Sequence, residues 1–364
     1  MRSVLLLSLA AAVGLAGCLR RDEGSQAKLI SADAEDLTST MVTASLRDPI
    51  VEGMNLIWCA TFPLAWNEML DLIGTEVQFA DMAEQPAVVA ALNDRLVTGD
   101  DLDDESYVAM AGLLQGGIVD QIQQTMAAKF PDVTPYLPVP DNADPQSIVA
   151  YSYLFKNLLF PQPFERLDEP LSFDGQEILC FGLSGDSDPS GELLGQVSIL
   201  DYVSDDDFVI ELKTRSEADQ VILAKVQPQA TLEETIQSVL TREPDPWLEP
   251  FNESDVLKVP MVNFDIRRSF NELTNHPFPV VGLEYPTYFI ETAIQSIRFE
   301  LNEAGVRLKS ESFGFGIGVV SAPPEPRHLV FDKPFLLMMK LREADQPYFA
   351  MWVDNPELLG KAGE

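Results

Sequence analysis

Histidine is nearly absent from this chain of 364 residues; only His276 and His328 occur. Cysteine is scarce too, with three residues. No His-Glu-x-x-His, Gly-x-Ser-x-Gly or Cys-x-x-Cys pattern is present, so the usual zinc-protease and serine-hydrolase chemistries lack their residues. Positive charge is the third shortage: 24 Lys and Arg stand against 58 Asp and Glu, a net charge of -34. Phosphate contacts need Lys and Arg, so nucleic acid is excluded as a partner, as is attraction to anionic lipid headgroups. Such an acidic surface serves solubility. Asp186, Asp188 and Ser190 copy the first half of a calcium loop, but Val197 holds the twelfth position, where a bidentate Glu is required. Neither a metal nor a cofactor is expected, and no constellation marks an enzyme.

A long apolar run is also missing. The longest, over residues 4–15 after Arg2, is too short to span a bilayer and is built like a signal peptide. It ends in Leu15-Ala16-Gly17-Cys18, which resembles the bacterial lipobox. That resemblance implies a cleaved leader over 1–17, lipids on Cys18 and a polar tether over 18–33. Leu19, not Asp, follows the cysteine, which by analogy with Gram-negative sorting implies the outer membrane, facing the periplasm or the surface. Several acyl chains on one residue make a firm anchor. Cys59 and Cys180 lie in apolar runs and read as buried thiols, though the compartment would permit a bridge.

What remains, 34–364, reads as one domain, without repeats or a separating linker. Apolar spacing predicts helices over 34–50, 64–73, 88–96, 118–130 and 232–241, the last opened by Thr231 with Glu234 at capping-box spacing. Gly74 stops the second of these. Strands are expected over 55–59, 107–114, 148–155, 176–181, 207–214, 219–226, 257–264 and 293–301, with an acidic loop over 100–105. Residues 131–145, rich in Pro and Asp, form a loop.

The last fifth carries the most information. Asn302-Glu303-Ala304-Gly305 opens a long segment that Phe331-Asp332-Lys333-Pro334-Phe335-Leu336 closes, and a final apolar run ends in Asn355-Pro356. This resembles the C-terminal part of a serpin, the family of suicide protease inhibitors. Asn55, Met69, Leu70 and Gly74 fall in register with the family's N-terminal signature, and Phe155, Lys156, Pro163, Phe164 and Phe173 with a central one. The resemblance is patchy in identity but collinear from Asn55 to Pro356. It implies an α+β fold in a single domain, with a large central mixed sheet, two smaller sheets, about seven helices and an exposed reactive-centre loop. The implied function is inhibition of a serine or cysteine protease by a monomer that acts as suicide substrate.

A serpin loop inserts into the main sheet as an added strand, which demands side chains of period two. Val306, Leu308, Ser310 and Ser312 fall on one side and Arg307, Lys309 and Glu311 on the other. A permanent surface strand would show the same alternation. By family spacing from Glu303, the scissile bond falls at Val319-Val320, which would suit an elastase-like protease. The sequence also departs from the family. Val306 and Leu308 are bulkier than the small residues usual in an inserting hinge, and bulky side chains entering a packed slot cost about 1–3 kcal/mol each. Too few residues separate Phe130 from Ile148 for the family's helix and loop across the main sheet. Tyr151 and Gln295 stand where its shutter asparagine and histidine are expected, and Leu159 or Phe160 where its tryptophan is. A non-inhibitory lipoprotein of the same fold, acting as a binding module of the cell envelope, is the alternative.

Overall fold

The computed structural model describes residues 27–306 and 325–363 apart from positions 141, 145, 157, 185–188, 244 and 246. Its first strands are β1 (Ile30–Asp33), β2 (Thr40–Thr43) and β3 (Asn55–Cys59). After helices α1 (Thr61–Ile73) and α2 (Ala87–Asn93) come β4 (Tyr107–Leu113), α3 (Ile118–Lys129) and β5 (Ile148–Leu154). Short strands follow: β6 (Leu158–Leu159), β7 (Glu165–Arg166), β8 (Leu171–Phe173), β9 (Gln176–Ile178) and β10 (Cys180–Leu183). Helix α4 (Gly191–Gly195) leads into β11 (Val197–Ser204), β12 (Asp207–Leu212) and β13 (Asp219–Lys225), then helix α5 (Leu232–Leu240). Next are β14 (Val256–Pro260), β15 (Val262–Ser269), β16 (Phe278–Pro279) and β17 (Thr287–Tyr288). The chain finishes with β18 (Ile290–Leu301), β19 (Gly305–Val306), β20 (His328–Val330), β21 (Phe335–Leu341) and β22 (Pro347–Val353).

Three larger sheets organise most of these strands, and three two-stranded ribbons, β16-β17, β19-β6 and β8-β9, hold the rest among the described residues. A five-stranded mixed sheet runs β1-β15-β18-β5-β4, a seven-stranded one β11-β12-β13-β21-β22-β3-β2, and a four-stranded one β20-β14-β10-β7. The five- and seven-stranded sheets pack on each other through apolar inner faces. Phe299 of β18 stacks on Phe349 of β22 at 4.8 Å and lies 5.5 Å from Phe264 of β15. Helix α1 packs on β4 and β5. It buries Phe62, Trp66, Met69, Leu70 and Ile73, and Phe62 stacks on Phe270 at 4.0 Å. Gly74 ends it in the left-handed region at φ +69°, its N–H donating to the Leu70 carbonyl at 2.8 Å, as its position in the sequence predicts.

Most expected elements form close to their expected bounds, and Thr231 caps α5 by accepting from the Glu234 N–H. Residues 34–50 are the clearest exception. They hold a single 3-10 turn (Ala34–Asp36) and β2, not a helix. The apparent stripe was false, because Met41 is 36% exposed. Thr40, Val42 and Thr43 are β-branched and pair parallel with β3 instead. The last four residues of the stretch expected as tether are β1, parallel to β15. Among the described residues five α-helices occur, fewer than the seven expected. Between Lys129 and Ile148 there is no helix among the described residues. Pro131, Pro135, Pro138 and Pro140 remove the N–H groups a helix there would need.

Candidate functional site

Strands β18 and β5 lie at the centre of the five-stranded sheet and run parallel, with Ile294 opposite Tyr151 and Ser296 opposite Tyr153. Their outer neighbours β15 and β4 are antiparallel to them. A strand entering between β18 and β5 would therefore be antiparallel to both, the arrangement that satisfies both ladders.

The chain turns back at the end of β18. Asn302 and Gly305 exchange backbone hydrogen bonds at 3.2 and 3.1 Å, and the Asn302 side chain accepts from the Ala304 N–H at 2.9 Å. Beyond the turn, β19 pairs antiparallel with β6, which follows β5 closely in sequence. The Phe160 N–H donates to the Ala304 carbonyl and the Phe164 N–H to the Glu303 carbonyl. The Glu303 carboxylate lies 3.6 Å from the Arg166 guanidinium. Gly305 has φ +118° and sits against backbone, so that a Cβ would lie 2.5 Å from the Leu158 carbonyl oxygen. Glu303, Gly305 and the backbone of Val306 are thus brought together at the top of the β18–β5 seam. The other expected site residues, Leu308, Ser310, Val319, Val320 and Cys18, lie outside the described residues, as do Asp186 and Asp188.

At its far end the segment is held by groups that sequence reasoning missed. Arg327 makes a two-pronged contact with Asp255, Nη2 to Oδ2 at 2.6 Å and Nε to Oδ1 at 3.1 Å, and the Asp255 side chain is wholly buried. Arg327 also donates to the carbonyls of Glu249 and Pro250, both at 2.8 Å. Next, β20 joins β14 in parallel. Lys225 then clasps the chain, donating to the Val330 carbonyl at 3.0 Å and to Asp332 at 2.7 Å.

Asp206 completes that clasp. Hydrogen bonds from Lys333 and Lys225 hold its pKa down, to about 2. A carboxylate whose folded pKa is depressed adds stability above its unfolded pKa, and loses it as pH falls through the folded one. Asp206→Asn should therefore narrow the gap to wild type between about pH 4 and pH 2. The side chain is 57% exposed, so the effect is less than about 1 kcal/mol. Urea midpoints measured at pH 7 and pH 2.5 check this, and equal gaps at both would refute it.

Behind the seam, Gln295 stands in the expected histidine's place. Its Nε2 donates to the Cys59 carbonyl and to Thr61 Oγ1, both at 3.1 Å, tying β18 to the end of β3 and the start of α1. Cys59 and Cys180 are free and buried, and burial pushes the Cys59 thiol up to about 11. At the upper end of β5, Lys156 reaches Asp219 at 3.1 Å, and the Tyr348 hydroxyl donates to the same carboxylate at 2.9 Å. That cluster pins the five-stranded sheet to β13 and β22. His276 lies 2.9 Å from Asp81, far in sequence from His328, whose side chain is exposed.

No protein-family model matches the chain, and no curated protein does. Among solved structures it is similar to serine protease inhibitor (serpin) 12 of Manduca sexta, with a TM-score of 0.51 and 12% identity, over 84% of this chain and 93% of that one. Serpin48 of Tenebrio molitor gives 0.45 and 12%, over 82% and 91%. Thyroxine-binding globulin, in complex with thyroxine, gives 0.48 and 12%, over 83% and 93%. Carried over most of both chains, the backbone likeness to the Manduca sexta protein gives this chain the serpin fold.

Proposed function

We propose that this protein is a serpin-type inhibitor of a serine or cysteine protease, a suicide substrate and not a turnover enzyme. Val319-Val320 is the bait, and Glu303, Gly305, Val306, Leu308 and Ser310 are the hinge. The observation that carries this reading is the parallel β18–β5 seam, with β19 already turned back over its end. A segment continuing from β19 enters antiparallel to both neighbours and completes two ladders. The preferred protease is elastase-like, given the small β-branched residues at the bait.

The test is brief exposure to an elastase-like protease. A complex that survives SDS is expected, together with a melting temperature raised by tens of degrees in the cut protein. A clean nick within 307–324 with an unchanged melt refutes inhibition. It supports instead a non-inhibitory binding module of this fold, a reading favoured by the absence of a helix between Lys129 and Ile148 among the described residues.

We also propose that the protein is lipid-anchored at Cys18 in the outer membrane after removal of residues 1–17. Support comes from the apolar leader ending in Leu15-Ala16-Gly17-Cys18. Palmitate labelling that disappears in Cys18→Ser is the expected result, and labelling that persists would overturn it.

A further inference from the structure

The described chain resumes at Glu325, and two residues later Arg327 fastens it to the loop between α5 and β14 through Glu249, Pro250 and Asp255. That loop presents Trp247 to solvent at 87% exposure, whereas the other three tryptophans, Trp58, Trp66 and Trp352, are buried. An indole left in water forgoes one of the largest gains from burial that a side chain offers. Val203, 68% exposed, follows Tyr202, whose ring lies 6.0 Å from the Arg327 guanidinium. A second exposed apolar residue thus stands near the same anchor.

Trp247 is held in place. Its N–H donates to Asp245 Oδ1 at 2.9 Å, and the Leu248 N–H to the Asp245 carbonyl at 3.1 Å, which makes a local turn. Arg242 ties one flank of the loop to Asp201 and Asp207, at 2.6 and 2.7 Å, and Phe251 is buried on the other. A tryptophan so placed gives up little conformational freedom on meeting a partner, and the residue type is enriched in binding hot spots.

The surroundings carry one sign of charge. Glu243, Asp245, Glu249 and Glu253 are exposed, and Arg242, the one cation of residues 241–255, is spent on its two acids. The complement of this loop is a basic face with an apolar notch for the indole.

Chain length says which partner comes near. Arg327 lies seven residues after Val320, a reach of at most about 25 Å. A protease domain of about 220 residues is roughly 40 Å across. Seated on the bait, its flank is within reach of the loop that Arg327 holds.

We propose that the 242–255 loop is a second docking surface for the protease that attacks the bait, with Trp247 as its anchor and a basic, notched face of the protease as its complement. This docking takes its partner from the inhibitor reading, and the two are tested apart.

Surface plasmon resonance of the full chain with neutrophil elastase, a basic protease, its catalytic serine replaced by alanine, measures docking without cleavage. Trp247→Ala should weaken binding by about tenfold at about 0.15 M and about 0.5 M NaCl alike, since the lost contact is apolar and salt screens only charge. Glu243→Lys with Glu253→Lys should slow association several-fold at the lower salt and have little effect at the higher. Val281→Ala, a substitution at an exposed residue between β16 and β17, should leave binding unchanged. Circular dichroism checks that each variant folds. Equal affinity of wild type and Trp247→Ala, or no binding by wild type, would overturn the docking surface. Inhibition is judged separately, by whether active elastase leaves a complex that survives SDS. Its absence, with the dependence on Trp247 intact, sinks inhibition alone.

Discussion

Replacing Asp255 by alanine is expected to destabilise the protein by about 3–5 kcal/mol, the range for breaking one partner out of a buried ion pair. The pair is unusually committed. Asp255 accepts from the Arg327 backbone N–H at 3.0 Å as well as from its guanidinium, and its side chain has no exposed surface. It also accepts from the backbone and side-chain nitrogens of Asn252, both at 3.0 Å. Removing it leaves Arg327 charged beside the Glu249 and Pro250 carbonyls, in a site where only 10% of its side chain meets water. With an unfolding entropy of ~2 cal/mol/K per residue, a chain of this size should lose about 4–7 °C in Tm. Calorimetry and urea midpoints read the loss. Replacing both residues by apolar ones of similar volume, Asp255→Leu with Arg327→Met, should recover much of it, because desolvation of the charges is then no longer required. Were Asp255→Ala to cost no more than a surface substitution, the contact would have no part in anchoring the far end of the loop.

That anchor shows where sequence reading stops. Arg327 and Asp255 are 72 positions apart, and nothing local marks them as partners in a chain with 58 acids. Lys156 was legible as part of a family-like pattern, but its pairing with Asp219 depends on how two sheets meet. Local signals were read well where they decide structure by themselves. The glycine that ends α1 and the cap of α5 formed as expected, and the strand expected over 293–301 formed as β18, beginning three residues earlier. Residues 34–50 were misread because Leu37, Met41 and Leu46 imitate a helical stripe, whereas strand pairing with β3 is a tertiary effect. An opening beside the five-stranded sheet was invisible for a similar reason. Tyr151 and Tyr153 belong to a strand that the sequence predicts, and only the way the described elements pack shows that they line an opening.

Gly305→Val is expected to release β19 from β6 while leaving the uncut fold largely intact. The cause is double. At φ +118° a side chain is strained by about 1–3 kcal/mol. Its Cβ would also lie 2.5 Å from the Leu158 carbonyl oxygen, 2.6 Å from the Leu159 Cα and 2.7 Å from the Phe160 nitrogen. All three are backbone atoms, which cannot swing aside as a flexible side chain would. The overlap is relieved by moving the hinge, since β19 is only two residues long. Hydrogen exchange over residues 158–164 should quicken, because the Phe160 and Phe164 amides donate to the carbonyls of Ala304 and Glu303. Gly53→Ala is the matched control, with φ +79° and nothing within 4 Å of the added carbon, so it carries strain without overlap. If insertion follows cleavage, the cut Gly305→Val protein should show little of the rise in melting temperature seen in the cut wild type. The strand would have to enter the seam at the position its new side chain blocks. Unchanged exchange over 158–164, or a full rise after cleavage, would mean that the close approach at Gly305 does not govern entry.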